Sequence, residues 1–451
     1  MASQHQPPPA SDPFELRVTF FHMLRGDAAL VECPAPSARG DRYRALIDCG
    51  SHSKLDAITQ ELAVSGLRAA CAGKPLDALI LTHTDKDHHS KVKLLFSAQE
   101  LDFSVGGMDV TTSYEQQAIK QVFFSDYKYA NALRDDRANP SAGKAKAYLD
   151  KQMPLTQYTD GGTNDYLYEA LDGKVLTLVN LDGVDNHLIT WPTWHYLPPN
   201  TYHLQPLPGG THTIAAGTSG TGIKWSVTLL AANVEDPQDN GTGAGSINAA
   251  SIVTLITYGP DTILVCGDAT AATEARISAD PAKKRRISKL AVLQAPHHGS
   301  DSSSSEAFVK TTNPTLVVES VAARETRYRL PKRSIVDRYL TASGPASRLA
   351  TTDEHAITSW RSLAMLGGDN EAYDTLQSWR ALFGGVIPTP YALTDAEVTQ
   401  VMGTRKNDWN AVAADSRGGG FILYRQNCTH DVWQTGMNGA EQFLHWDFNG
   451  R

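Results

Sequence analysis

The sequence predicts a mixed α/β protein, and three observations carry that reading. Short apolar, β-branched runs separated by turn residues come first, a helical stretch follows, and the same strands-then-helices order recurs in the second half of the chain. One of the strands ends in a dense run of histidine and aspartate, the position at which α/β folds open their ligand crevices. Hydrophobic residues make up 41% of the chain and charged residues 20%, a balance that can fill a real core.

In order, Met1 to Pro13 is polar and proline-rich and is expected to be a disordered lead-in. The runs Phe14 to Met23, Ala28 to Cys33 and Tyr43 to Asp48 read as an antiparallel meander. Leu55, Ile58, Leu62 and Leu67 give Ser53 to Ala70 a helical spacing, and after Pro75 the apolar run Leu76 to Leu81 reads as a strand. Val92, Leu94, Leu95 and Phe96 open a new apolar stretch. From about 104 to 223 the alternation fades into an expected helical pair, Tyr114 to Leu133 and Ala142 to Met153, and a stretch rich in Thr, Gly, Pro and aromatics, together read as an insertion or lid. Strands are expected again at Ile223 to Ala231, Ile247 to Tyr258, Thr262 to Val265, Leu290 to Gln294 and Thr315 to Glu319, with a helix at Ala271 to Ala279. Residues 14–352 then form one domain, and 353–451, with amphipathic stretches at Ala372 to Leu382 and Thr394 to Met402, form an extension packed on it.

Composition narrows the function classes. A net charge of −8 gives no global field for a polyanion, so a nucleic-acid substrate would need a local basic patch or metal ions. Lys283 to Arg286 is a short basic run of the kind that usually marks a solvated helix end. No run of eighteen apolar residues occurs, so no standard membrane-spanning helix is expected, and the lead-in lacks the apolar core of a secretory signal. The five cysteines are odd in number, widely spaced and free of any Cys-x-x-Cys pair, which points to a reducing, cytoplasmic setting. Cys49 and Cys266 adjoin motif residues, yet unpaired cysteines of this kind usually serve as small buried apolar groups.

The chemistry concentrates in three segments. Leu81-Thr-His-Thr-Asp-Lys-Asp-His-His-Ser90 packs His83, Asp85, Asp87 and His88 into six positions after a strand, a density of imidazole and carboxylate that calls for a neutralising cation. The strand Asp261 to Val265 leads into Cys-Gly-Asp268, where Gly267 allows close backbone approach and Asp268 is placed to bridge two ions. Leu293-Gln-Ala-Pro-His-His-Gly-Ser300 delivers His297 and His298 at the end of another strand. The glycine-rich run Asp239 to Gly245 lacks the Gly-Lys-Ser/Thr ending of a phosphate loop and reads as a flexible connection.

His83-Thr-Asp-Lys-Asp87-His88 resembles the His-x-His-x-Asp-His signature of the metallo-β-lactamase superfamily, with Asp85 in place of the second histidine. With Cys-Gly-Asp268 and Ala-Pro-His297-His-Gly-Ser300, the pattern is similar to the hydrolase domain of ComEC-type competence proteins. Arg25-Gly-Asp27, Ala45-Leu-Ile-Asp48-Cys-Gly50 and Asn248-Ala-Ala-Ser251 agree with it, and the match runs in order from about Phe14 to Thr352. The resemblance implies an αββα sandwich with a two-metal centre, zinc or manganese, in a groove at its edge. It implies that His83 and Asp85 hold one ion, that Asp87, His88 and His297 hold the other, and that Asp268 bridges them. Asp87 and Asp268 then carry the catalytic chemistry, Asp48 orients the motif loop from behind, Asn248 and Ser251 line or brace the groove, and His89 and His298 support it. The chain departs from the pattern in His89-Ser90-Lys91, where relatives have a small, glycine-rich helix start. It departs again in lacking an identifiable histidine between the first motif and Asp268: His187, His195, His203 and His212 all sit outside a Gly-His-Thr-like context.

The expected activity is metal-dependent hydrolysis of a phosphodiester in nucleic acid or a nucleotide, a nuclease or phosphodiesterase chemistry suited to hard carboxylate ligands. Two alternatives keep the fold: hydrolysis of a small ester, lactone or amide, which the acidic charge favours, and a non-catalytic binding module with a vestigial metal site.

Overall fold

The computed structural model describes residues 14–51, 75–92, 99–139, 211–237 and 244–320 with short breaks, and shorter stretches elsewhere, among them 175–178, 186–190, 348–351, 419–424, 430–435 and 443–447. Strands β1 (Leu16–Phe21), β2 (Ala29–Glu32), β3 (Arg44–Ile47) and β4 (Leu76–Leu81) come first, and β4 runs into a single helical turn, α1 (Lys86–His89). A separate hairpin, β5 (Gln99–Val105) with β6 (Met108–Tyr114), is followed by β7 (Ile119–Phe124), α2 (Tyr127–Ala138), β8 (Val175–Leu178), β9 (Asn186–Thr190) and β10 (Leu204–Gln205). The second half contains β11 (His212–Thr218), β12 (Lys224–Ala231), α3 (Ala244–Ala249), β13 (Val253–Tyr258) and β14 (Asp261–Val265). It continues with α4 (Ala271–Ala279), α5 (Pro281–Arg286), β15 (Val292–Gln294), α6 (Glu306–Thr312), β16 (Leu316–Glu319) and β17 (Arg348–Thr351). Near the end come β18 (Gly419–Tyr424), β19 (His430–Thr435) and β20 (Phe443–Asp447).

The strands form two large sheets, one ordered β10-β9-β8-β7-β4-β3-β2-β1-β18-β19-β20 and the other β11-β12-β13-β14-β15-β16-β17. In the first, β1, β2 and β3 pair antiparallel, as the meander predicts, and β3, β4, β7 and β8 then run parallel. β4 sits between parallel neighbours and is buried at every position but Asp77, which is why its sequence is a continuous apolar run rather than an alternating one. In the second sheet the antiparallel order of β11 to β14 gives way to parallel pairing from β14 to β17.

One apolar cluster draws on both sheets: Val18, Ile47 and Ile80 from the first meet Val227, Ile256 and Val265 from the second. On its other face the second sheet packs Leu255, Leu264 and Leu293 against Ile277 of α4 and Phe308 of α6. Alternate residues of β13 and β14 therefore face opposite layers, as the period of two demands. The result is a mixed α+β molecule of two multi-stranded sheets with few described helices. The expected helix Ser53 to Ala70, most of Ala142 to Met153, the lead-in and the stretches Ala372 to Leu382 and Thr394 to Met402 lie outside the described residues. Among the described residues no helix is long and apolar enough to cross a membrane.

Three expectations need correction. Tyr114 to Leu133 is not one helix: Ile119 to Phe124 is a strand beside β4, and the helix begins at Tyr127. Ile119, Val122, Phe123 and Phe124 fit either period, and pairing with a buried strand decides between them. Ile247 to Tyr258 is not one strand either, because α3 occupies its start and the strand begins at Val253, a break closed by the hydrogen bond from Ala250 N to Ser246 O at 3.1 Å. Within 104–223, read as an insertion or lid, β7 to β10 extend the first sheet and β11 forms the edge of the second, so these strands are part of the sheets rather than a cover over them.

Candidate metal centre

The site forms where three chain segments from the first sheet meet strand ends of the second. Asp27, in the β1–β2 connection, donates its N–H to Asp87 O at 3.0 Å. Gly50, after β3, donates to Asp27 O at 3.1 Å, and Cys49 donates to His88 O at 2.8 Å. Ile252, at the start of β13, donates to Thr82 O at 2.9 Å and ties the motif loop to the second sheet. The crossing is so close that a Cβ on Gly50 would lie 2.2 Å from the carbonyl carbon of Asp87. Only glycine fits there. Gly50→Ala is accordingly expected to cost ~2 kcal/mol of folding stability by overpacking and backbone shift, read as a lower midpoint in denaturant unfolding; an unchanged midpoint would show that the crossing has slack.

Asp48 fixes the loop from behind. Its φ is +58°, a left-handed conformation that a non-glycine residue adopts only at a cost, here offset by three hydrogen bonds to its carboxylate. Thr82 N donates at 2.7 Å, Thr82 Oγ1 at 2.8 Å and His88 Nδ1 at 2.8 Å. These bonds settle tautomers. A carboxylate only accepts, so His88 carries its proton on Nδ1 and turns the Nε2 lone pair outward. Thr82 gives its hydroxyl proton to Asp48, so at 3.1 Å it accepts from His83 Nδ1, and His83 Nε2 is likewise free of hydrogen. His298 Nδ1 donates to Ser320 O at 2.6 Å, and His297 Nδ1 is held by Ser302 Oγ at 2.7 Å.

All four Nε2 atoms converge on Asp268. Its Oδ2 lies 3.8 Å from His83 Nε2 and 3.5 Å from His297 Nε2, and its Oδ1 lies 3.2 Å from His88 Nε2 and 3.4 Å from His298 Nε2. Asp85 Oδ2 approaches His83 Nε2 at 3.7 Å on the first side. On the second, Asp87 Oδ1 and Oδ2 approach His88 Nε2 at 4.0 Å and His298 Nε2 at 3.8 Å. The carboxylate of Asp268 thus divides the cluster into two halves. Gly267, with φ +52°, lets Asp268 come in against Thr82, whose Oγ1 would sit 2.6 Å from any Cβ added at Gly267.

His297 and His298 reach the same carboxylate although they are neighbours in sequence. In extended backbone, consecutive side chains point to opposite faces, but here His297 (φ 51°, ψ 47°) and His298 (φ 50°, ψ 29°) both take left-handed conformations followed by Gly299 at φ 73°. The turn is held by His297 N to Gly267 O at 2.9 Å and Ser303 Oγ to Pro296 O at 2.8 Å. Such strain concentrates at functional sites because surrounding bonds must over-determine it.

Charge follows the geometry. Burial disfavours a charged His88, yet the Asp268 and Asp48 carboxylates outweigh it and hold its pKa well above the ordinary histidine value. Burial likewise opposes charge on His298, which Asp268 and Asp27 overcome and raise. Asp268 is desolvated too, but His88, His297 and His298 pull its pKa well below the usual carboxylate range. Asp27 is raised, chiefly by burial, and His297 is lowered for the same reason.

Every residue expected to ligate or support a metal falls in or against this cluster. Ser251 Oγ lies 3.2 Å from His83 Nδ1 and accepts from Asp268 N at 3.2 Å, while Asn248 Nδ2 lies 3.2 Å from His297 Nε2. His89 turns away: its Nε2 meets Thr84 O at 3.0 Å and braces the loop, and burial lowers its pKa to about 4. Asp27 is the residue that sequence reasoning left without a role. Ligand atoms of Asp27, His88, Asp268 and His298, all buried, lie within 4.8 Å of one another. A Gly-Asp pair between two short strands carries the signal of an ordinary turn, so Arg25-Gly-Asp27 enters the sequence pattern without a role and packing supplies one. His83 Nε2, His88 Nε2, His298 Nε2, Asp27 Oδ1 and Asp268 Oδ1 are buried without a hydrogen-bond partner among the described residues. Buried lone pairs facing one another are costly unless a cation or protons satisfy them, so the donor set fits a divalent metal.

No family model matches the chain. Over 178 residues, 37% of its length, the chain is 29% identical to the uncharacterized protein YcaI of Escherichia coli (strain K12) and covers 20% of that protein. Among solved structures, it is similar to CmlA, a diiron beta-hydroxylase from Streptomyces venezuelae, at 11% identity and a TM-score of 0.33, over 76% of this chain and 53% of that one.

Proposed function

We propose that the chain is a metal-dependent hydrolase of the metallo-β-lactamase fold, of the ComEC-type branch, acting on phosphodiesters. The carrying observation is Asp268, whose two carboxylate oxygens each face a pair of histidine Nε2 atoms at 3.2 to 3.8 Å. The two facing sheets with helices on the outer face of the second support the sandwich reading. His83, Asp85 and His297 would hold one ion and Asp87, His88 and His298 the other, with Asp268 shared and zinc or manganese as occupant. When bound, such ions supply Lewis acidity and lower the pKa of water toward neutrality.

The chain's own residues do the rest. Asp48 and Thr82 hold the Nδ1 sides of His88 and His83, and Ser302 and Ser320 those of His297 and His298, so that four Nε2 atoms are oriented before any cation arrives. Exposure is greatest at Asp85, at 32% of its side chain, against 21% for His297 and for Asp87, so substrate would enter from the side of Asp85.

The test is metal analysis of the purified chain followed by turnover of bis(p-nitrophenyl) phosphate, oligonucleotides and p-nitrophenyl esters. Two equivalents of metal with phosphodiester turnover are expected. Ester turnover alone would move the substrate to a carbonyl compound, and a metal-replete preparation without bound metal would leave a non-catalytic module.

A further inference from the structure

Asn248 has one partner too few. Its Oδ1 is buried with no hydrogen-bond partner among the described residues, and its Nδ2 lies 3.2 Å from His297 Nε2. That contact needs the amide to donate, because Ser302 Oγ, which itself donates to Ser300 Oγ at 3.1 Å, accepts the Nδ1 proton of His297 and leaves only a lone pair on Nε2. One imidazole nitrogen has one lone pair. The same Nε2 stands 3.5 Å from Asp268 Oδ2, on the open side of the centre, so a cation beside Asp268 and the Asn248 amide compete for it.

We propose that Asn248 is the donor for a substrate oxygen: when His297 turns its lone pair to a metal, the Asn248 Nδ2 hydrogen is released to a non-bridging oxygen of a phosphodiester. The inference rests on the metallohydrolase reading. Asn248 sits on α3, between β12 and β13, within the interval from the first motif to Asp268 that holds no identifiable additional histidine, and its amide, a much weaker donor to a cation than imidazole, does not stand in for that ligand. What it offers is a fixed dipole. A buried amide hydrogen that has lost its acceptor is costly, and a substrate oxygen that accepts from Nδ2 relieves that cost only in the complex.

The experiment uses the full-length, metal-loaded protein with Asn248→Ala and the isosteric Asn248→Asp. Metal content is measured by elemental analysis, inorganic phosphate binding by calorimetry, and turnover on bis(p-nitrophenyl) phosphate. Both variants are expected to keep the wild-type metal content. Phosphate affinity should fall about tenfold in Asn248→Ala and further in Asn248→Asp, where a carboxylate faces the anion, and kcat/KM should fall by ~10²-fold, the scale of one lost donor. Unchanged phosphate affinity at unchanged metal content overturns the proposal, even if no substrate is turned over. A loss of metal in Asn248→Asp and Asn248→Ala alike also overturns it, since Asn248 would then be acting on the ions. Failure of the wild-type chain to take up metal is a separate result, which removes the metallohydrolase reading itself.

Discussion

Asp268→Asn is expected to reduce turnover on the order of 10³-fold or more and to strip metal from both halves of the centre, while the far-ultraviolet circular dichroism of the chain stays as in the wild type. The substitution keeps the volume of a side chain that is 3% exposed, so it opens no cavity. It removes the one charge that faces His83, His88, His297 and His298 together, at 3.2 to 3.8 Å. Among the described residues no other carboxylate does this: Asp85 faces His83, Asp87 faces His88 and His298, and Asp48 and Asp27 face the Nδ1 side of the rings. Loss of one half alone, as judged by metal stoichiometry, would mean that Asp268 belongs to a single ion rather than to two. Full turnover in the variant would remove Asp268 from the centre altogether.

The sequence made the core of this site legible because the ligands follow strand ends, and a strand end is a recognisable place. β4, β14 and β15 are short apolar runs that stop at polar residues, so His83, Asp268 and His297 could be located before their contacts were known. Asp27 was legible as part of Arg25-Gly-Asp27 but its place in the cluster was not, because that comes from a backbone crossing with Gly50 and Asp87 that no local pattern encodes. The equal standing of His298 was hidden for a related reason. Two adjacent side chains point the same way only through two consecutive left-handed residues, and the bonds that enforce them come from Gly267 and Ser303. Ile119 to Phe124 was misread as helix because its apolar spacing is ambiguous, and its place beside β4 is a long-range fact. The joining of β18 to β1 is of the same kind, with some four hundred residues between partners such as Leu16 and Tyr424.

Removal of metal is expected to give thermal stability a downward slope with pH between about 6.5 and 8, where the metal-loaded protein shows an upward one. In the metal-free state His88 and His298 have folded pKa values raised above the ordinary 6.5, because the attraction of Asp268, with Asp48 or Asp27, outweighs the burial that opposes it. A group raised on folding contributes stability that is complete below the unfolded value and is lost as pH climbs through the folded one. Asp268 is shifted the other way, so its contribution is already complete above the ordinary 3.8 and adds no slope in this window. His89 and His297, both lowered by burial, act only below 6.5, where acid must charge them in the unfolded chain first. The two raised histidines are therefore the main part of the site's contribution to the metal-free slope, and Asp27, whose carboxyl burial also raises, acts in the same direction. A cation needs their Nε2 atoms deprotonated, so its affinity rises with pH over the same range, and saturation at a thousandfold over Kd adds about 4 kcal/mol. Melting curves in chelator and in excess manganese, taken at half-unit steps of pH, decide the matter. Parallel slopes in the two series would mean that the cation does not compete with protons at His88 and His298, and that these histidines are not its ligands.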